Sequence, residues 1–162
     1  MATILTKINL TVSAVILLCI VGCSGPTQRE FSQFVTLDTD GWVYNDSVRI
    51  IADLPDSTAI GTLLIHTCHD DDYVYANLWV EVSYPGNDSA RTLCRDTFNL
   101  PLANKYGQWL GKGFGTTFQT TDTVAADYIL LRGDTLVLRH VMRVDTLGHI
   151  SQIGLSLGTD NH

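Results

Sequence analysis

From Phe31 onward the chain is written in short runs that alternate apolar and polar residues, separated by clusters of turn residues. Phe34, Thr36 and Asp38 fall on one side of the first run and Val35 and Leu37 on the other. The clearest run covers residues 73–84, where Tyr73, Tyr75, Asn77, Trp79 and Glu81 alternate against Val74, Ala76, Leu78, Val80 and Val82. Pro85-Gly-Asn-Asp88 closes it. Period two in β-branched and aromatic residues predicts strands, and Pro, Gly, Asn and Asp together predict a turn. The same reading predicts strands over residues 48–52, 60–67, 90–100, 114–121, 126–131, 135–144 and 150–157. Thr121-Asp-Thr, Arg132-Gly-Asp and Asp145-Thr-Leu-Gly-His are read as the turns between the later ones. Residues 102–110 read as one helical turn or a loop.

Eight or nine turn-separated strands with no long amphipathic helix predict an all-β fold. The expected form is an antiparallel β-sandwich, jelly-roll-like, over residues 34–162, with a closed barrel as the alternative. Gly111-Lys-Gly-Phe-Gly115 lacks the Lys-Ser/Thr ending of a phosphate loop. Its glycines are expected to serve positive φ or a bulge before the next strand.

The start of the chain follows another grammar. Lys7 precedes an apolar run over residues 12–21, and the run ends in Ile20-Val21-Gly22-Cys23, which looks like a bacterial lipobox. The run is about half of the roughly 20 residues that a membrane-spanning helix needs. Residues 1–22 are therefore expected to be a lipoprotein signal peptide, with Cys23 acylated (palmitate among its chains) as the first mature residue. More than one acyl chain makes such an anchor stable. Residues 23–33 have tether composition, and no cofactor beyond the covalent lipid is expected.

Ten Lys+Arg against seventeen Asp+Glu give a net charge of −7. That balance argues against nucleic acid and against anionic head groups bound by charge. Cys68 and Cys94 remain once Cys19 leaves with the signal and Cys23 is lipidated. They read as a disulfide or as two buried thiols.

A set of ordered landmarks carries a family resemblance. They are Phe34, Trp42 and Asn45-Asp-Ser-Val48, then Tyr73-Val-Tyr-Ala-Asn-Leu-Trp-Val80. Asp96-Thr-Phe-Asn-Leu-Pro-Leu-Ala103 and Gly107-Gln-Trp-Leu-Gly-Lys-Gly-Phe-Gly115 follow. Leu138-Arg-His-Val-Met-Arg143 and Leu147-Gly-His-Ile-Ser-Gln-Ile-Gly-Leu155 end the series. In this order, behind a lipobox, they resemble the GldH gliding-motility lipoproteins of the Bacteroidota. The chain departs from the family at His66-Thr-Cys-His-Asp-Asp-Asp72, where members usually carry a basic residue and an Asn. The resemblance implies a lipoprotein that supports gliding motility and type IX secretion beside other envelope proteins of that machinery. It implies no catalysis and transfers no site residue.

Candidate chemistry is sparse. His66, Cys68, His69 and Asp70 to Asp72 are the densest group of metal-capable side chains, but His69 falls on the opposite strand face from His66 and Cys68. Three consecutive Asp also lack the spacing of a calcium loop, so no metal site is expected. No serine sits in a nucleophile elbow, and no enzyme is expected. Trp79 and Trp109 are candidate contacts for a partner protein or a glycan, with Trp109 read as the more exposed. A glycan-binding module is thus the alternative function. Asp followed by Ser or Thr recurs, marking Ser47, Ser57, Ser89, Thr123, Thr135 and Thr146 as candidate O-glycosylation sites by resemblance to a Bacteroidota motif. Turn chemistry accounts for the same pattern. Ser24 after the lipidated cysteine and a lone Glu30 beside Arg29 point to the periplasmic face of the outer membrane, by analogy with Gram-negative sorting.

Overall fold

The computed structural model describes residues 31–158; the expected signal peptide over residues 1–22, Cys23, the following residues to Glu30 and residues 159–162 lie outside them. Eleven strands form, all paired antiparallel, and no helix occurs among the described residues. None is therefore available to cross a membrane as a helix.

One sheet has five strands in the order β1-β11-β4-β8-β7: β1 (Phe31–Thr36), β11 (Ile150–Gly158), β4 (Thr58–Asp70), β8 (Thr117–Leu131) and β7 (Lys112–Phe114). The other has four in the order β3-β9-β5-β6: β3 (Val48–Ile51), β9 (Thr135–His140), β5 (Asn77–Pro85) and β6 (Leu93–Pro101). A ribbon of β2 (Trp42–Val43) and β10 (Thr146–Leu147) completes the set. The sheets stay open rather than closing on each other, so this is the sandwich and not the barrel.

Alternation decides what lies between the sheets. Leu63 and Ile65 on β4, Ile153 and Leu155 on β11, Leu78, Val80 and Val82 on β5, and Leu136 and Leu138 on β9 are all buried. Each such side chain contributes about 1.5–3 kcal/mol when removed from water. Trp42 is buried with them, its indole N–H donating to the Asp46 carbonyl at 3.0 Å, so the ribbon caps the core.

The structure corrects several expected boundaries. β1 begins at Phe31, which is buried, so the last three residues assigned to the tether belong to the domain. The strand expected from Tyr73 begins at Asn77; Tyr73 instead folds into the core and donates its hydroxyl to the Asn77 carbonyl at 3.0 Å. Thr121-Asp-Thr is not a turn. β8 runs through it as one strand of 15 residues, accommodated by register shifts against β4 around Leu63. Such bulges let a long strand bend without breaking its ladder. β9 stops at His140, short of the expected end at Val144.

Residues 102–110 are a loop. Asn104 Oδ1 accepts from the Tyr106 and Gln108 amides at 2.9 and 3.1 Å, Gly107 takes φ 78°, and a bridge joins Ala103 to Trp109. Gly111 and Gly115 adopt φ of 90° and 65° on either side of β7, the role expected of that glycine segment.

Candidate functional site

The outer face of the four-stranded sheet is built by the residues that alternate against its core positions. On β5 these are Asn77, Trp79, Glu81 and Ser83. Their cross-strand neighbours are Thr97 and Asn99 of β6, and Arg139 of β9. Trp79 is 41% exposed, the orientation its alternation with Leu78 and Val80 dictates. Beyond His140 the chain leaves the ladder but stays pinned to it. The Val141 amide donates to the Trp79 carbonyl at 2.9 Å, and the Trp79 amide points at the Met142 sulfur at 3.4 Å. Residues 141–144 thus become a wall. Between that wall and β5 lies a cleft of about 520 Å³ lined by Tyr75, Asn77, Trp79, Met142, Arg143 and Val144.

Its chemistry is mixed. The indole of Trp79 offers a flat apolar surface. Asn77 donates its side-chain amide to Asn99 Oδ1 at 2.6 Å, which fixes both amides on the face. Arg143 is exposed and makes no ion pair or hydrogen bond among the described residues. Further along β5, a smaller cleft of about 220 Å³ contains Glu81, Ser83, Arg95 and Arg139. Glu81 is shared there by two guanidiniums, Arg139 at 3.1 Å and Arg95 at 3.8 Å, and Arg139 also lies 5.7 Å from the Tyr44 ring centre. One carboxylate between two arginines leaves net positive charge, although Asp46 and Asp145 border the face from neighbouring loops.

Trp109 has a different environment. Its indole is half-buried with its ring centre 4.7 Å from His69, beside Tyr73 and Phe118. The sequence had made it the more exposed tryptophan, and the loop closure at Ala103 turns it inward instead. His69 itself is wholly buried, with Nδ1 bonded to the Asp70 carbonyl at 2.8 Å and Nε2 unpartnered. His140, on the facing sheet, is equally buried and has no full hydrogen bond at either ring nitrogen. Burial pushes its pKa down, and a nearby backbone group of Trp42 offsets this only in part.

The metal-capable cluster separates as its strand parity requires: His66 and Cys68 outward, His69 inward. Asp70, Asp72 and His149 bring three ligand atoms within 4.8 Å of one another, with His149 Nδ1 3.0 Å from Asp70 and the Asp72 amide 2.9 Å from it. Sequence reasoning missed His149 because it arrives from the loop before β11. Cys68 and Cys94 are free thiols on different sheets, and burial raises the pKa of Cys68, which blunts its reactivity. Ser47, Ser57, Ser89, Thr123 and Thr146 are exposed, whereas Thr135 is half-buried at the start of β9. Thr123 lies inside β8, not on a turn.

A helix-free antiparallel sandwich with an open, tryptophan-walled cleft is the class that fold and site define. The profile of the GldH lipoprotein family matches residues 29–157. The chain belongs to that family of lipoproteins. It is also 32% identical over 76 residues to the gliding motility lipoprotein GldH homolog of Christiangramia forsetii, an alignment covering 46% of this chain and 44% of that protein. The matched part is thus less than half of the relative's length. Among solved structures, the Eiger TNF of S. frugiperda superposes on 81% of this chain and 94% of its own at 14% identity, with a TM-score of 0.33 that carries no argument.

Proposed function

We propose that this protein is a non-catalytic lipoprotein, acylated at Cys23 and held on the periplasmic face of the outer membrane. In this reading it supports gliding motility and the assembly or stability of the type IX secretion machinery, alongside other envelope proteins. The family match over residues 29–157, directly behind a lipobox, carries the reading. The lipid is its only covalent addition of cofactor type. The position of β1 supports a tether, because the chain enters the sandwich at an edge strand and nothing need pass through the core.

The test is a deletion strain scored for cargo retained in the cell and for spreading, complemented with wild type or with Cys23→Ala. Retained cargo that only the lipidated form releases is the expected result. Normal secretion and normal spreading in the deletion strain would overturn the reading. We further propose that Ser47, Ser57, Ser89, Thr123 and Thr146 carry O-linked sugar, with Thr135 the poorest acceptor because it is half-buried. Intact-mass spectra of native protein should show hexose-type increments; their absence removes this element alone.

A further inference from the structure

We propose that the outer face of the four-stranded sheet binds an acidic saccharide chain, laid along β5 with one sugar ring against Trp79 and a carboxylate at Arg143. The inference stands apart from the secretion reading and rests on the geometry of the face. A half-exposed indole in the wall of a cleft offers the planar apolar surface that the C–H face of a sugar ring covers. The cleft's volume, about 520 Å³, falls within the range of small-ligand sites. Fixed amides at Asn77 and Asn99 supply directional partners for hydroxyls without having to be ordered on binding.

Charge selects the kind of sugar. In a chain of net charge −7, this face presents Arg49, Arg95 and Arg139 from its strands and Arg143 at its margin, against the single strand carboxylate Glu81. Arg95 and Arg139 already share Glu81, whereas Arg143 is unpaired and directed at the cleft, free for bidentate contact with a carboxylate. The row from Asn77 to Ser83 runs about 20 Å at the rise of a strand, which suits an oligomer better than a single ring. A protein partner fits less well. Stable protein interfaces bury about 800 Å² per side, whereas the apolar surface here, Tyr75, Trp79, Met142 and Val144, is confined to one cleft and interrupted by Asn77 and Arg143.

The experiment is isothermal titration of the full-length lipidated protein in detergent, using oligogalacturonate, neutral dextran oligomers and poly-glutamate as probes. Oligogalacturonate should bind, and the neutral oligomers at least about 10-fold more weakly. Added salt should weaken the acidic probe selectively. Arg143→Gln should cost about 10-fold, and Trp79→Ala should abolish the signal. Should Trp79→Ala fail to fold, Arg143→Gln still decides, since Arg143 makes no bond in the fold. Equal affinity for poly-glutamate or for dextran, no heat with oligogalacturonate, or affinity indifferent to Arg143→Gln would each overturn the proposal.

Discussion

The two sheets of the sandwich share one core and present opposite outer surfaces. On the five-stranded sheet the outward residues are mostly uncharged, with Phe34, Ile60, Leu64 and Phe114 set among threonines, serines and glutamines. Thr36, Gln152, Ser156 and Thr121 surround Phe34, and His66 is bonded to Thr121 at 2.9 Å and Ser156 at 2.7 Å. By strand register, charge enters that face only at Asp70 and, on the edge strand, Lys112. Gly154 lets Phe34 lie flat there: a Cβ on Gly154 would sit 2.6 Å from the Gln33 carbonyl oxygen and 2.6 Å from the Phe34 ring. The four-stranded sheet is cleft and arginine-bearing. Around Phe34 and His66 the first surface is packed against itself, whereas at Trp79 the second opens into a cleft, so alternation alone, identical on both, does not determine what a face is for. What differs is that the four-stranded face leaves the Trp79 indole half-exposed and Arg143 without an ion pair or hydrogen bond among the described residues.

That contrast gives predictions of decreasing size. Gly154→Ala should destabilise the domain by about 2–3 kcal/mol in urea unfolding, because the new methyl meets backbone on one side and a ring on the other. Trp79→Ala on the open face should cost about 1 kcal/mol despite its far larger volume, since much of that ring is already in water. Similar costs for the two would erase the distinction between faces.

His140 tests the inward side of the four-stranded sheet. Its pKa is lowered by burial, so the unfolded chain binds a proton more readily than the folded one. Its contribution to stability should be complete above the ordinary imidazole value of 6.5 and should fall as the pH drops below it. His140→Leu should flatten that slope and add about 1 kcal/mol at neutral pH by removing unsatisfied nitrogens; unfolding midpoints from pH 7.5 to 5 measure both. Glu81→Gln should cost less than about 1 kcal/mol and lose its effect in high salt, while strengthening oligogalacturonate binding by unmasking two arginines. The smallest effect is expected for Phe114→Ser. The ring is 95% exposed at the β7–β8 turn, and stability should stay within about 0.5 kcal/mol of wild type.

Much of this was legible beforehand, for a physical reason. Period-two alternation survives wherever a strand has one dry face, so the strand bearing Trp79 and the outward orientation of its indole follow from Leu78, Val80 and Val82. The failures fall where local chemistry and long-range pairing disagree. Thr121-Asp-Thr has turn composition, yet β4 pairs across it and the exposed surface tolerates Asp122 in a strand. Residues 141–144 look like more strand, but the chain turns off after His140, and the cleft wall arises from that departure. Trp109 depends on a loop closure through Asn104 and the Ala103 bridge, and His149 on a loop that reaches Asp70 across 79 positions of sequence. No periodicity records contacts of that kind.

β1 has one more consequence, and it is mechanical. Phe31 to Thr36 pair in register with β11 from Leu157 to Gln152, at the edge of the larger sheet. A tension applied through the residues before Phe31 and directed along the strand would load every backbone bond of that ladder at once. The same tension applied sideways would part them one at a time. A domain hung this way holds firm under a pull along its long axis and peels under a pull across it, so the direction of traction at the envelope decides whether it acts as a tie or as a fuse.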